Sequence, residues 1–317
     1  MYYIGLDVGG TTFKAGVVTE DGRIVHKDAM PTGIERPYQE IIADMAALCK
    51  KVAADAGIAM SEIKSIGVGV PGLFDNRTGM IPFCTNLGWH DIPFVAEMKK
   101  HLDTPVYGDN DATVAGLAES VAGVSAGIKD CVFLTLGTGV GGGMILNGKL
   151  HTGMGAGGEV GHIVIRQGGV PCNCGRRGCW EAYASATGLI RQVREAMEAH
   201  PESLLHQVAE KNGAVDGRTA FQAAELGDET ALAVCRDYAG YLAAGLTDLV
   251  NILHPEAVAL GGGVAAAPEH LLLEPVREIM ARECYARHVD KVPHILRAEL
   301  GNDAGIIGAA VLGQQSL

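Results

Sequence analysis

The sequence predicts an α/β protein with two similar domains, and three observations lead to that prediction. Apolar, β-prone runs alternate with segments whose apolar residues recur at helical spacing. A strand, a glycine-rich turn and a returning strand occur twice, about 130 residues apart. The chain has 317 residues, of which 48% are hydrophobic, so it can bury a sizeable core, and its length suits two domains better than one.

The first half opens on this strand-turn-strand pattern. Residues 2–8 are apolar and β-prone, a Gly-Gly-Thr-Thr turn follows, and residues 14–18 predict the second strand. Apolar residues at helical spacing predict an amphipathic helix over 38–56. Residues 63–70 predict another strand, which ends at a Pro-Gly pair.

The acidic segment 109–111 lies where a strand gives way to a helix. Residues 105–108 predict the strand, and the Ala/Leu/Val-rich stretch from Ala112 predicts the helix. We therefore expect Asp111 at the start of a helix, where its carboxylate can point away from the core.

The second half repeats the opening pattern and then becomes mainly helical. Residues 131–136 predict a strand, a turn follows over 137–143, and residues 144–146 predict the returning strand. The apolar pattern over 238–253 predicts a helix that ends before a proline. A strand over 257–260, a run of three glycines and a further helix are predicted next.

The charge and the first residues argue against two kinds of partner. The formal net charge of −12 disfavours a surface that neutralises nucleic-acid phosphates or docks on an anionic membrane. The start lacks a basic n-region, and glycines interrupt the long uncharged stretch 131–148, so neither a secretory signal nor a membrane span is predicted. We expect a cytoplasmic protein that acts on small molecules.

Three of the eight cysteines lie within eight residues, which in a long cytosolic chain indicates metal ligation rather than disulfides. Cys172, Cys174 and Cys179 supply three sulfurs and His162 a nitrogen, a closed tetrahedral set suited to structural zinc. A redox pair or plain core thiols are the alternatives. The other five have apolar neighbours and are expected to be inert core residues: Cys49, Cys84, Cys131, Cys235 and Cys284.

Neither glycine turn fits the commoner nucleotide motifs. Gly137-x-Gly139-x-x-Gly142 matches the dinucleotide fingerprint, with Glu159 about 20 residues further on, but that fingerprint requires a helix where residues 143–148 predict a strand. Neither turn continues into the Gly-Lys-Ser/Thr of a P-loop. Two hairpin turns remain whose backbone N–H groups can approach phosphate oxygens, against the alternative of plain glycine-rich turns.

Five motifs in order resemble the ROK family of sugar kinases and repressors, within the actin-like, hexokinase-like ATPase superfamily, over nearly the whole chain. They are Leu6-Asp7-Val8-Gly9-Gly10-Thr11-Thr12-x-Lys14, Asn110-Asp111-Ala112, Leu136-Gly137-Thr138-Gly139-x-Gly141-Gly142, Gly158-Glu159-x-Gly161-His162 and Cys172-x-Cys174-Gly175-x-x-Gly178-Cys179-x-Glu181. Within the family, residues 86–89 and 181–188 are most similar to those of bacterial glucokinases.

The resemblance implies an actin-like ATPase fold, in which two RNase H-like domains flank a catalytic cleft. We expect the first domain at 1–118 plus 303–317 and the second, with the zinc loop, at 119–302. The resemblance also implies ATP-dependent phosphorylation of a hexose, with glucose at O6 favoured. ATP, Mg²⁺ and structural Zn²⁺ are the implied cofactors, and a homodimer or homotetramer is the implied assembly.

The resemblance further implies a role for each site residue. Asp111 is the expected general base, Asp7 is expected to orient Mg²⁺ through water, and His162 can offer one ring nitrogen to metal and the other to the sugar. The sugar residues are Gly72, Asn86, Asn110, Asp111, Glu159, His162 and Glu181. The nucleotide and phosphate residues are Asp7, Gly9, Gly10, Thr11, Thr12, Lys14, Gly137, Thr138, Gly139, Gly262 and Gly263.

Other functions are weighed against this one. A ROK repressor would carry a helix-turn-helix domain before the first glycine turn, and the acidic charge is wrong for it. Intact Asp111 and both turns argue against a sugar-sensing module without catalysis, and the strand after Gly143 argues against an NAD-dependent dehydrogenase. A kinase of another hexose or of an N-acetylhexosamine stays open, as does polyphosphate in place of ATP.

Overall fold

The computed structural model describes residues 1–153 and 157–316, and within these ranges it has thirteen strands and ten α-helices. The strands are β1 (Tyr2–Val8), β2 (Thr12–Thr19), β3 (Ile24–Pro31), β4 (Ile63–Val70), β5 (Leu73–Asp75), β6 (Met80–Cys84), β7 (Trp89–Ile92), β8 (Val106–Asn110), β9 (Cys131–Leu136), β10 (Val140–Leu146), β11 (Lys149–Leu150), β12 (Ala257–Gly261) and β13 (His294–Arg297). The helices are α1 (Tyr38–Asp55), α2 (Phe94–Met98), α3 (Asp111–Ala122), α4 (Glu181–Ala184), α5 (Ala186–Ala199), α6 (Leu205–Asn212), α7 (Thr219–Glu225), α8 (Glu229–Leu253), α9 (Leu273–Glu283) and α10 (Ala304–Gln315).

Two five-stranded sheets share one strand order. The first sheet runs β3-β2-β1-β4-β8 and the second β11-β10-β9-β12-β13. Numbered along the chain within each sheet, both read third, second, first, fourth, fifth. In the first sheet β2 pairs antiparallel with β1, and β4 pairs parallel with it. The recurrence confirms the predicted α/β fold class with two similar parts. A separate three-stranded sheet is formed by β5, β6 and β7.

The chain divides into two compact units. Unit 1 comprises Met1–Phe133, Gly143–Gly158 and Ala298–Leu317, and unit 2 comprises Leu134–Gly142 and Glu159–Arg297. These packing units do not coincide with the boundaries expected at 118/119 and 302/303, because α3 continues past residue 118 and packs on α10 within unit 1. The expected boundaries stay a prediction about domain organisation.

The core of unit 1 lies between its five-stranded sheet and α1. The predicted amphipathic helix forms over 38–55, and its buried side includes Ile42, Met45, Cys49 and Val52. These side chains join the buried strand residues in one hydrophobic cluster. Burial of this apolar face is what stabilises the helix against the sheet.

In unit 2 the core is organised by the long helix α8, which fixes the short helix α4. The indole of Trp180, directly before α4, is fully buried and donates to the Tyr241 carbonyl at 2.8 Å. The buried hydroxyl of Tyr238 donates to the Ala184 carbonyl at the end of α4, at 2.6 Å. These two bonds, with the burial of both rings, place the first residue of α4, Glu181.

The structure adds elements that the sequence pattern did not predict. Strands β3, β5, β6, β7 and β13 were not expected, and α8 begins at Glu229, before the expected start at Tyr238. The N-cap of α8 is Asp228, whose carboxylate accepts from the Ala231 N–H. After the three glycines come two 3₁₀ turns, Val264–Ala266 and Glu269–Leu271, on either side of Pro268, which cannot donate a helical hydrogen bond, and α9 begins at Leu273.

Candidate active site

The predicted junction of strand and helix is present at Asn110 and Asp111. Asn110 ends β8 and caps α3, because its Oδ1 accepts from the N–H groups of Ala112 at 2.9 Å and Thr113 at 3.4 Å. Its Nδ2 donates to the Gly72 carbonyl at 3.3 Å. Asp111 is the first residue of α3 and is exposed. The sequence therefore gives the carboxylate a fixed backbone and leaves it accessible.

One further sugar-assigned position, Asn86, lies close to this junction in unit 1. Burial raises the pKa of the Cys84 thiol to about 11, and the negative charge of nearby Asp111 adds to the rise. Cys84 directly precedes the 3₁₀ turn that contains Asn86. The Asn86 carbonyl oxygen lies 3.1 Å from the position that a Cβ would take on Gly10, in the first glycine turn. The first turn and the Asn110–Asp111 junction thus border the same stretch of chain.

Asp7 sits opposite Lys14 in the hairpin of β1 and β2. The Lys14 Nζ lies 3.7 Å from the Asp7 Oδ2. Burial raises the pKa of Asp7, and the Lys14 ammonium opposes that rise. The first turn of α10 approaches closely, since a Cβ on Gly305 would be 2.8 Å from both carboxylate oxygens. A single carboxylate that keeps partial solvent access fits the demands of Mg²⁺, which retains much of its water.

The first glycine turn is held by Thr32, a residue that the sequence did not single out. Its buried hydroxyl donates to the Gly9 carbonyl at 2.7 Å, and its N–H donates to the Thr11 carbonyl at 2.9 Å. Thr32 follows β3, a strand with alternating half-exposed residues that gave no clear apolar signal. Nothing in the local sequence marks this threonine as a support for the turn.

The second glycine turn is held by the start of α5. The Ala186 N–H donates to the Gly137 carbonyl at 2.8 Å, and the Thr187 hydroxyl donates to the Thr138 carbonyl at 2.8 Å. The chain then continues into β10, the predicted returning strand, which begins at Val140 and so includes residues expected in the turn over 137–143. A strand after the glycines confirms that the turn is not the dinucleotide fingerprint, which needs a helix there.

Gly263 borders a cavity in unit 2, and Gly262 directly precedes it in the chain. Gly262 has φ +84° and packs on the Leu136 backbone, directly before the turn. Gly263 contributes to a cavity of about 230 Å³. Its wall is mainly apolar and includes Phe221, Val264 and Pro268 together with the polar side chains of Arg218 and Gln222. Such a lining suits a flat, largely apolar ring system with polar edges.

The predicted metal ligands converge. The ligand atoms of His162, Cys172, Cys174 and Cys179 all lie within 4.8 Å of one another. The Cys174 and Cys179 sulfurs are 3.6 Å apart, and the Cys172 sulfur lies 3.7 Å from His162 Nδ1. Tetrahedral zinc with Zn–S bonds of about 2.3 Å separates its sulfurs by roughly 3.8 Å, so the cluster has the donor types and spacing of a structural zinc site. The five other cysteines are buried, as expected.

One chain of contacts joins this cluster to the assigned acids of unit 2. His162 Nε2 lies 3.9 Å from Glu159 Oε2, on the opposite side of the ring from the sulfurs. Glu181 Oε1 lies 3.8 Å from the Cys172 sulfur, and its Oε2 accepts from the Val140 N–H at 3.0 Å. Every site residue predicted in unit 2 therefore belongs to this chain of contacts or to the adjoining glycine segments.

Comparison with known proteins then decides the family. The model of the ROK family matches residues 3–316. The chain belongs to the ROK family. Among curated relatives it is 40% identical to the glucokinase of Halalkalibacterium halodurans, over 99% of this chain and 95% of that protein. It is 33% identical to the N-acetylmannosamine kinase of Shigella boydii, over 99% of both chains.

The fold of this ROK protein also matches solved members of the family. A ROK family glucokinase from Streptomyces griseus, solved in complex with glucose and AMPPNP, superposes with a TM-score of 0.82. The two are 33% identical, and the match covers 99% of this chain and all of the other. The actin-like ATPase fold implied by the motifs is thereby confirmed. Among the described residues, every helix is too short or too polar to cross a membrane.

Proposed function

We propose that this chain is an ATP-dependent glucokinase, which transfers the γ-phosphoryl group of ATP to O6 of glucose. Similarity over nearly the whole length to named glucokinases supports the reaction class. The observation that carries the proposal is the placement of Asp111. It is exposed at the start of α3, directly after Asn110, whose amide is fixed by its cap and by Gly72.

Asp111 acts in this proposal as the general base. The O6 oxygen forms a bond to the γ-phosphorus while the bond from that phosphorus to the β,γ-bridging oxygen breaks, and ADP leaves with the electron pair. The Asp111 carboxylate accepts the O6 proton as the new bond forms. No covalent intermediate is needed, so positioning and charge neutralisation supply most of the rate.

The assignment of polar groups to the sugar follows the family resemblance. Gly72, Asn86 and Asn110 belong to unit 1 with the base, and Glu159, His162 and Glu181 belong to unit 2. Carboxylates accept directional hydrogen bonds from hydroxyl groups, which allows a site to reject a sugar that lacks or inverts one of them. The His162 Nε2, turned towards Glu159, is the ring nitrogen available to a hydroxyl in this arrangement.

The nucleotide is assigned to the two glycine turns and the adjoining cavity. The turns at Gly9–Thr12 and Gly137–Gly139 offer backbone N–H groups to phosphate oxygens, and Lys14 offers a positive charge. Asp7 would hold the hydrated Mg²⁺, which supplies charge neutralisation at the phosphates when bound. The cavity beside Gly263 fits the adenine ring.

The His162, Cys172, Cys174 and Cys179 cluster is proposed to hold one structural zinc ion. With four protein ligands the site is closed, so the metal has no open position for chemistry. It would order residues 172–179 and, through them, the positions of His162 and Glu181. Cytoplasmic location stays a prediction from the sequence pattern, and a homodimer or homotetramer stays a prediction from the family resemblance.

A coupled assay of ADP release across a panel of sugars tests the proposed function. Glucose is expected to give the highest kcat/KM, with mannose, allose, N-acetylglucosamine and N-acetylmannosamine well below it. N-acetylmannosamine is the main competitor, because of the similarity to a kinase named for that sugar. Polyphosphate in place of ATP tests the donor. A panel without any phosphorylated sugar would reject the proposal.

A further inference from the structure

A buried carboxylate outside the proposed site, that of Glu119, binds three backbone N–H groups. Glu119 lies in the last turn of α3 and has no exposed surface. Its Oε1 accepts from the N–H groups of Glu299 at 3.0 Å and Leu300 at 2.9 Å. Its Oε2 accepts from the Val124 N–H at 2.9 Å. Because a buried charge is costly unless it is fully hydrogen-bonded, this arrangement tolerates little displacement.

The segment that Glu119 holds leads directly into the last helix. Residues 299 and 300 precede the 3₁₀ turn Gly301–Asp303, and α10 begins at Ala304. Helix α10 also touches α3 at backbone distance, since a Cβ on Gly308 would overlap the Val114 carbonyl. The contact at Gly308 sets how close the two helices lie. The Glu119 carboxylate sets where the start of α10 lies along α3.

The start of α10 is the part of the fold that meets Asp7. A Cβ on Gly305 would be 2.5 Å from the Asp7 Cγ, so the backbone of the first turn lies directly on the carboxylate. The N-terminal turn of a twelve-residue helix carries unpaired N–H groups and a partial positive charge, which favour the ionised form of a nearby acid. The Lys14 ammonium opposes the burial that raises the pKa of Asp7.

We propose that Glu119 is a positioning residue for Asp7. By holding the backbone of Glu299 and Leu300, its carboxylate fixes the first turn of α10 against the Asp7 carboxylate. The same helix, α3, begins with Asp111, so one rigid pair of helices connects the proposed base to the acid assigned to the nucleotide's magnesium. The catalytic role of this pair of helices rests on the proposed kinase function, whereas the structural link from Glu119 to the first turn of α10 does not.

Hydrogen exchange tests the structural link without substrate. In Glu119→Ala, peptides that cover α10 are expected to exchange about 10-fold faster relative to α1 in the same protein, because three N–H groups lose a charged acceptor. Glu97→Ala is the matched control, since Glu97 on α2 is also a buried carboxylate of unit 1 and is bonded to Lys100, just beyond that helix. Equal acceleration of α1 and α10, or the same α10 change in the control, would overturn the proposal.

Binding and kinetics test the functional meaning. In Glu119→Gln, which keeps one acceptor oxygen and loses the charge, KM for the magnesium nucleotide is expected to rise about 10-fold, while the glucose Kd from calorimetry changes less than about 2-fold. Glu119→Asp, with the charge on a shorter side chain, is expected to behave like Glu119→Gln. A similar loss of glucose and nucleotide affinity would reduce Glu119 to a stabilising residue. An inactive wild type would reject the kinase function, but the hydrogen-exchange experiment would still test the structural link between Glu119 and α10.

Discussion

Glu181 accepts a hydrogen bond from the Val140 N–H at 3.0 Å, and its second oxygen lies 3.8 Å from the Cys172 sulfur. Val140 is the first residue of β10, directly after the second glycine turn. Cys172 belongs to the cluster proposed to bind zinc. One carboxylate therefore links the end of a turn assigned to phosphate with the cysteine loop proposed to bind zinc.

Loss of the Glu181 charge is expected to weaken sugar binding more than it slows the chemical step. Glu181→Gln keeps an acceptor for the Val140 N–H but cannot accept as strongly from a sugar hydroxyl. We expect the glucose KM to rise about 10-fold with a smaller change in kcat. Glu195→Gln on the exposed face of α5 is the control. A kcat loss at unchanged glucose KM would contradict the assignment of Glu181 to the sugar.

Replacement of the proposed base is expected to leave sugar binding nearly intact. Asp111→Asn keeps the size of the side chain but cannot accept the O6 proton. The turnover number should fall about 10³-fold, with a glucose Kd within about 2-fold of the wild type. Steady-state kinetics with calorimetry of glucose binding measure the two quantities. Asp75→Asn, on the short strand β5, controls for removal of a carboxylate in unit 1. A fully active Asp111→Asn protein would contradict the assignment of Asp111 as the general base.

Removal of one proposed zinc ligand is expected to lower the affinity for glucose. Elemental analysis of the wild type should find about one zinc per chain, and Cys174→Ser should lose it, because three remaining ligands hold zinc less tightly. Glucose affinity should fall with the metal, since the loop 172–179 carries contacts to both His162 and Glu181. Cys235→Ser is the matched control, as Cys235 is buried in α8 far along the chain from the cluster. Zinc-free wild-type protein with full activity would contradict this role.

The sequence predicted those parts of the fold in which local pattern and tertiary packing agree. The strand over 63–70 has the same bounds in the structure. The helix expected over 38–56 ends one residue earlier, at Asp55, and its apolar face is the face that packs on the sheet. Strand β3 was missed because polar residues such as His26 and Asp28 occupy even its partly buried positions, and because the local sequence does not report its pairing with β2. The 3.6-residue and two-residue periods report burial, and an edge strand buries little.

The candidate site shows the same limit: local sequence patterns predict groups that are close along the chain but not those that the fold brings together. The cysteine spacing predicted the cluster that the fold assembles, since four ligands within twenty residues leave few other arrangements. Thr32 and Glu119 could not be found in this way, because each acts on backbone groups brought near by the fold. Glu119 meets partners 180 and 181 residues away. The sequence places Glu119 in a helical pattern, but its burial and its partners come only from the fold.

Two adjacent glycines allow a paired test of the close contact beside the second turn. Gly262 has φ +84°, and a Cβ there would lie 2.6 Å from the Leu136 backbone, whereas a Cβ on Gly263 has nothing within 4 Å. Gly262→Ala is therefore expected to lower the free energy of unfolding by about 2 kcal/mol or more, since both strain and overlap arise. Gly263→Ala should change it by less than about 1 kcal/mol. Urea denaturation of the two proteins measures the difference, and equal midpoints would contradict it.

Asp109 is expected to make stability depend on pH. Its side chain is 9% exposed, and burial raises its pKa to about 6, although the Asn110 N–H donates to its Oδ1 and lowers it. An unfolded aspartate has a pKa of about 3.9, so between about pH 4 and 6 the folded state binds a proton that the unfolded chain releases. Stability from this group is therefore greatest below pH 4 and falls as pH rises through 6, by up to about 3 kcal/mol.

Asp109→Asn isolates this effect because it keeps the Oδ1 acceptor for Asn110 and carries no charge at any pH. At about pH 8 the variant should unfold at a higher urea concentration than the wild type. At about pH 4.5 the two midpoints should be nearly equal, because the Asp109 carboxyl of the folded wild type is then mostly protonated. The difference in unfolding free energy between the two proteins cancels the contribution of the other acids, because these titrate in both. Asp75→Asn should give parallel curves with the wild type. If Asp109→Asn does the same, Asp109 stays ionised in the folded protein and its burial is relieved by a partner or by water.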